Sequence, residues 1–176
     1  MIAIIRAAGP ADVAELAEVA AATFVLACPP GTPPASISSF IAAHLSAASF
    51  ASYLADPAHD IRVAVRDGRI AGYTMLVFGE PNSPDVVAAL TARPTVELSK
   101  VYLLADHHGV GLADTLMTAT LDVARARGAA GVWLGVNDQN LRAIRFYTRN
   151  GFAIVGAKTF QVGDQIDDDH VMERSL

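Results

Sequence analysis

His108-Gly109-Val110-Gly111-Leu112-Ala113 stands where an apolar, strand-like segment hands over to a helix. Upstream, Thr95 to Leu104 is rich in β-branched and large apolar residues; downstream, Leu112, Leu116, Ala119 and Val123 recur at helical spacing. Two glycines at such a junction allow a tight turn and leave N–H groups uncovered. The helix brings its own unpaired N–H groups and the positive end of its dipole to the same spot. Main chain arranged in this way can hold a phosphate or pyrophosphate without basic side chains. A tight strand-to-helix turn with no ligand is the other reading of the glycine pair. The standard phosphate motifs fit poorly. No Gly-Lys-Ser or Gly-Lys-Thr marks a P-loop, and a dinucleotide fingerprint wants G-x-G-x-x-G after the first strand of a βαβ unit. Here the strand is central in the chain, and Ala113 follows two residues after Gly111.

Working outward, Ile2 to Arg6 reads as a first strand, broken by Gly9-Pro10, with Asp12 in the first turn of a helix reaching about Leu26. Cys28 to Pro34 contains four prolines and cannot be regular structure. Ser36 or Ser38 is expected to cap a second helix through His44, and Ser46 or Ser49 a third ending near Asp56-Pro57. Ile61 to Val65 and Ile70 to Phe78 read as strands joined by Asp67-Gly68, a hairpin signal. Glu80 to Pro94, with three prolines, is expected to be a mobile loop. The central helix should end at Arg127-Gly128, where glycine supplies the C-cap. Val132 to Val136 is a short strand, Asn140 or Asp138 caps a helix through Asn150, and Ile154–Ala157, Phe160–Val162 and His170–Glu173 close the chain as strands. Antiparallel strands followed by a β-α-β-α-β run predict a mixed sheet flanked by helices, an α+β or mixed α/β domain. The helix after the glycine turn is the crossover between parallel neighbours.

The 176 residues suit a single domain over positions 1–176 with a substantial core. An apolar fraction of 52% against 18% charged residues describes a packed globular chain. A net charge of −5 offers no general attraction to nucleic acid or an anionic membrane, and mildly favours a cationic small substrate. The lone Cys28 excludes an internal disulfide framework and suits a reducing, cytoplasmic compartment. Val13 to Cys28 carries Glu15 and Glu18 and reads as an amphipathic helix, not a signal or a membrane span.

The chain resembles the GCN5-related N-acetyltransferase (GNAT) superfamily along nearly its whole length. That family carries Gln/Arg-Gly-x-Gly-x-Gly/Ala at the turn after its fourth strand, matched by His108 to Ala113 with His108 in place of Gln or Arg. It also carries Asn-x-x-Ala-x-x-Phe-Tyr-x-x-x-Gly-Phe on its last long helix and the next strand. Asn140, Ala143, Phe146, Tyr147, Gly151 and Phe152 satisfy all six specified positions. The resemblance implies a mixed, mostly antiparallel sheet with a splayed central parallel pair. It also implies transfer of acetyl from acetyl-CoA to an amine, with acetyl-CoA as co-substrate and no metal.

The same resemblance implies roles for individual residues. The turn His108, Gly109, Val110, Gly111, Leu112 and Ala113 would hold the pyrophosphate. The main chain of Val101 and Leu103 would pair with the pantetheine arm, satisfying groups that splaying leaves bare. Tyr147 would protonate the leaving thiolate, since a phenol (reference pKa ~10) stays protonated at neutral pH; a core tyrosine beside Phe146 is the bland alternative. Asn140 can cap its helix and also donate to the coenzyme. Asn137 would face the splayed gap. Glu97 would act through water as the base for the ammonium substrate, or is merely a strand residue facing solvent. His108 would hydrogen-bond at the pyrophosphate end, with affinity weakening as pH rises and an imidazole loses charge. His107 and His108 raise a metal reading, but adjacent residues project apart and no Cys or carboxylate stands at ligand spacing.

Asp164, Asp167, Asp168 and Asp169 form the densest charge run, expected as a solvated loop or as a landing place for a cationic amine. The closing segment Phe160 to Leu176 and the region Ser36 to Leu54 look most like the diamine and polyamine acetyltransferase branch. Cys28 sits beside the proline-rich segment with no His placed by sequence to activate it, which argues against a covalent acetyl-enzyme. The leading expectation is acetylation of a small-molecule amine, a polyamine among the candidates. A catalytically silent acetyl-CoA sensor, and a protein or peptide acetyltransferase with Glu80 to Pro94 shaping a groove, are the competing readings. The resemblance also allows a homodimer.

Overall fold

A computed structural model describes residues 2–176 of the chain. Seven strands form one sheet in the order β1-β2-β3-β4-β5-β7-β6. They are β1 (Ile4–Ala7), β2 (His59–Arg66), β3 (Arg69–Phe78), β4 (Thr95–Leu103), β5 (Gly131–Asn137), β6 (Ala153–Val162) and β7 (Gln165–Ser175). Every neighbouring pair is antiparallel except β4 with β5. The helices are α1 (Val13–Ala27), α2 (Pro34–His44), α3 (Ala47–Ala55), α4 (Pro84–Ala89), α5 (Leu112–Ala126) and α6 (Leu141–Arg149).

Strand alternation sends successive side chains to opposite faces. Ile61, Val63, Tyr73 and Met75 pack under Leu16, Val19 and Phe24 of α1 and Phe50 of α3. Leu76, Val96, Leu98, Val132 and Leu134 turn the other way, under Met117 and Leu121 of α5. A buried hydroxyl pair, Thr74 with Thr120 at 2.7 Å, links β3 to α5. The Asp67-Gly68 hairpin forms as its sequence predicts, with both residues at positive φ (54° and 77°).

The expected splay is present. β4 and β5 pair only over Thr95–Glu97 and Gly131–Trp133. Beyond Glu97 the strands part, and the sequence cause lies on the other edge of β4. Met75 pairs with Lys100 while Leu76 pairs with Leu98, so Ser99 is an extra residue in the ladder to β3. Such a bulge bends its strand and shifts its alternation. Val96, Leu98 and Val101 therefore join the core under α5 and α6, whereas Tyr102 joins the core under α1.

Three expectations are corrected. Glu80 to Pro94 is not a mobile loop. It carries α4, whose Val86 and the following Leu90 are 0% and 7% exposed against Trp133 and Val171. Pro84 sits in the first helical turn, where a missing N–H costs nothing. The buried Glu173 carboxylate then fixes the exit, accepting from Thr91 N (3.0 Å), Thr91 Oγ1 (2.7 Å) and Ala92 N (3.1 Å). The closing region is two long strands rather than three short ones, joined at Gly163-Asp164, so Asp167, Asp168 and Asp169 lie within β7 and not in a loop. A uniform run of charge hides the period of two: Asp168 is exposed and Asp169 buried. Finally, α2 starts at Pro34, and Ser36 is a buried residue inside it rather than its cap. Ser46 caps α3 as expected, accepting from Ser49 N at 3.1 Å. That cap divides the apolar stretch Pro34–Ala55 into helices of 11 and 9 residues, each shorter than the ~20 residues that cross a bilayer.

Candidate active site

A cavity of about 770 Å³ occupies the splay and reaches both faces of the sheet. On the α5 face it is built mainly from main chain. Gly109 and Gly111 both take φ +78°, in the left-handed region that glycine enters without penalty. A Cβ built at either one meets nothing within 4 Å, so the space beside the turn is open. Gly111 is the N-cap of α5 and supplies no side-chain cap. Thr115 N bonds Gly111 O at 3.1 Å, leaving the amides of Leu112, Ala113 and Asp114 at the helix end without an intrahelical acceptor. These bare amides and the helix dipole suit a diphosphate. Asp114 braces the turn against α6 through Arg149 Nη2 (3.1 Å) and Asn150 Nδ2 (3.1 Å). Arg142, Arg145 and Arg149 of α6 also line this end.

Between the two faces run the unpaired edges of β4 and β5. Val101 and Leu103 lie on the first and Asn137 on the second. His108 Nε2 meets Leu103 O at 2.8 Å, which folds its ring back onto the β4 edge. His107 points elsewhere; its Nδ1 is buried without a partner. Asn137 Oδ1 accepts from Gln139 N (3.0 Å), and Asn140 Oδ1 caps α6 by accepting from Ala143 N (3.1 Å). Tyr147 projects from α6 with its ring set against Phe146 and Phe152, at 5.5 Å and 6.0 Å between centroids. Burial pushes its phenol up, so the hydroxyl is a proton donor throughout the neutral range.

On the α1 face the lining is side chains. Glu97 stands at the last paired position of the splay. Burial raises its carboxyl, opposed by the ammonium groups of Lys158 and Lys100. Burial lowers Lys100, opposed by Glu97, and its Nζ lies 5.6 Å from the centre of the Tyr53 ring. Tyr102 is pushed up to about 12 by burial. Asp169 is 7% exposed, and burial lifts it to about 6 although Lys158 opposes the shift. A Cβ at Gly135 would collide with the Lys158 stem and press Asp169 Oδ2 at 3.3 Å, so this bare position on β5 makes room for both. Cys28 also reaches the cavity, with its thiol raised first by burial and then by Asp167.

Ten of the twelve residues singled out in the sequence line this one cavity: Glu97, Val101, Leu103, His108, Gly109, Gly111, Ala113, Asn137, Asn140 and Tyr147. The other two share the turn but turn away. Val110 is 60% exposed, and Leu112 is buried in the core with Ala64 and Leu116. Sequence reasoning missed Lys100, Tyr102, Lys158 and the aromatic wall Phe24, Phe40 and Phe160. A charge at Lys100 within an apolar strand was the one available signal.

Comparison with known proteins agrees with this geometry. The family described as the acetyltransferase (GNAT) family matches residues 25–152. Uncharacterized N-acetyltransferases of Mycobacterium tuberculosis and Mycobacterium bovis are 49% identical over 165 residues, covering 94% of this chain and 98% of theirs. The streptothricin acetyltransferase of Streptomyces lavendulae is 31% identical over 111 residues, 62% of this chain and 53% of its own. Among solved structures, the PaiA N-acetyltransferase of Thermoplasma acidophilum in complex with coenzyme A superposes with a TM-score of 0.80 at 20% identity, over the full length of both chains. The chain belongs to the GNAT acetyltransferase family and is an acetyl-CoA-dependent N-acetyltransferase.

Proposed function

We propose that the protein acetylates a primary amine of a small molecule by direct attack, without an acetyl-enzyme. Acetyl-CoA supplies an activated thioester, and the chain supplies position, a proton donor and a proton acceptor. The amides from Gly109 to Asp114 hold the diphosphate, and the edge of β4 at Val101 and Leu103, where Leu103 O already accepts from His108 Nε2, takes the amide arm. His108, Asn137 and Asn140 are polar neighbours of that path. Tyr147 gives its phenolic proton to the sulfur as the C–S bond breaks and the C–N bond forms. Glu97, through water, takes the proton that the ammonium substrate must lose before its lone pair can attack. A carboxyl raised by burial suits that task better than an exposed one. Direct attack is supported at Cys28, whose raised thiol is a poor nucleophile near neutral pH.

The observation that carries this reading is the convergence on one cavity of bare helix-end amides, Tyr147 and Glu97. α4 weighs against the peptide-groove alternative, because Val86 and Leu90 pack on Trp133 and Val171 and tie the segment to the sheet, leaving beside it a cavity of only about 240 Å³. The test is calorimetry with coenzyme A, followed by thiol release from acetyl-CoA across a panel of small amines, polyamines and peptides. Coenzyme binding with thiol release on small amines is expected. Peptides outrunning all small amines, or binding with no thiol release, overturns the proposal. No affinity for coenzyme A in folded protein removes its basis.

A further inference from the structure

The end of the cavity on the α1 face has two features that the transfer chemistry above leaves unused. The first is Asp169. Its side chain is 8% exposed, and Lys158 Nζ, the one cation within 4 Å among the described residues, stands 3.9 Å away, beyond hydrogen-bond reach. No donor among the described residues bonds its carboxylate, although a buried carboxylate normally finds one. It lines the cavity, and the bare Gly135 beside it leaves room for the Lys158 stem. The second is an apolar wall beside it, beginning at Phe160, which pairs with Asp167 two positions along the same hairpin face. Phe40 stacks on Phe24 at 4.5 Å and tilts against Phe160 at 5.5 Å, and all three line the cavity. Phe160 already presents its ring to a cation, with Lys158 Nζ 5.3 Å from its centre.

From these we propose an acceptor subsite in which Asp169 draws in the single ammonium group of an amine whose apolar, aromatic-sized body lies against Phe40 and Phe160, the nitrogen then passing a proton through water to Glu97 before it attacks. This rests on the acetyl-transfer reading above and names its acceptor class. Charge at this end favours one ammonium group over several. Glu97, Asp167 and Asp169 line this end of the cavity together with Lys100 and Lys158, so the lining itself leaves one negative charge to neutralise, while Asp138 and His170 act on Asp169 from outside it. A diamine or polyamine would bring its further charges against those lysines. An apolar body gains by covering the phenylalanine wall, whereas a polyamine chain would carry charge into it.

Binding to the enzyme–coenzyme A complex, measured by calorimetry, tests the subsite whether or not turnover occurs. 2-Phenylethylamine should bind at least 10-fold more tightly than putrescine or spermidine. Asp169→Asn should weaken 2-phenylethylamine at least 10-fold while leaving coenzyme A affinity within 2-fold. Phe160→Leu, a second variant that keeps the hairpin apolar, should narrow the preference for 2-phenylethylamine over butylamine. Polyamines binding as well as 2-phenylethylamine, or Asp169→Asn leaving amine affinity unchanged in protein that still binds coenzyme A, overturns the subsite. Thiol release measured in parallel separates the two claims. Amine binding that follows this pattern without thiol release supports the subsite and removes the acetyl-transfer reading of it.

Discussion

On the α5 side of the sheet the cavity is built around main chain, held in place by two left-handed glycines and a helix end, with side chains of α6 beside it. On the α1 side it is walled by side chains from α1, α2, β4, β6 and β7. The first wall needs few residue types, because any sequence that forces the turn bares the same amides. The second can change its occupant with one substitution. On the function proposed above, one half can therefore stay constant in a family whose acceptors differ, while the other half would set the acceptor.

That contrast breaks most sharply at the chemistry between the two walls. Tyr147→Phe should lower kcat on the order of 10²-fold, within the range for a positioned acid, with the KM for acetyl-CoA nearly unchanged. Phenylalanine keeps the ring against Phe146 and Phe152, so thermal stability should stay close to that of the parent. An unchanged kcat removes Tyr147 from the mechanism. On the same protein, Glu97→Gln should shift the acidic limb of the pH–rate profile, and a profile superposing on the parent's leaves no case for a base there.

A second, smaller effect separates the walls directly. Gly111→Val puts a β-branched residue at φ +78°, which costs about 1–2 kcal/mol or more, and sets its side chain in the open space beside the bare amides. The strain lowers stability in free and bound protein alike; the side chain crowding the amides is what should lower coenzyme A affinity, by about 10-fold or ~1.4 kcal/mol. Amine selectivity, read as the ratio of kcat/KM values, should not move. A change in that ratio would mean that the two walls are not independent.

The same contrast explains what the sequence discloses. The donor wall was legible because a short run, His108 to Ala113, fixes both backbone conformation and chemistry. Tyr147 and Asn140 were legible because they share one helix at fixed spacing. The splay itself was expected, but its cause, the bulge at Ser99, depends on the register with β3 and leaves no local mark. Lys158 and Asp169 meet through the register of the β6–β7 hairpin, and Phe40 reaches their cavity only by docking of α2 from more than a hundred residues away, so no local spacing could bring the three together. The α4 segment was misread because its prolines resemble loop punctuation. The features that order it, burial of Val86 and Leu90 and the bonds to Glu173, are tertiary.

The smallest effect bears on whether Asp169 is held for a ligand or for the fold. Lys158 on β6, Asp167 and His170 on β7, and Asp138 after β5 all act on it, and Tyr102 of β4 feels its charge. Burial outweighs the favourable Lys158, lifting the carboxyl from 3.8 to about 6. Below the lower value both folded and unfolded chains carry the proton, and the group costs nothing. Between the two values the folded chain holds more protons than the unfolded one, so stability falls as pH rises, and above the upper value the full cost remains. A shift of about two pH units corresponds to at most about 3 kcal/mol. Solvent in the cavity screens part of that cost, so Asp169→Asn should raise Tm at pH 7.5 by a few degrees, at ~2–4 °C per kcal/mol in a chain of this size, and the gain should vanish by about pH 4. A carboxylate kept at a stability cost fits a group awaiting a cation. If the variant is instead less stable at pH 7.5, Asp169 belongs to the architecture of the hairpin, and the acceptor wall begins at Phe160.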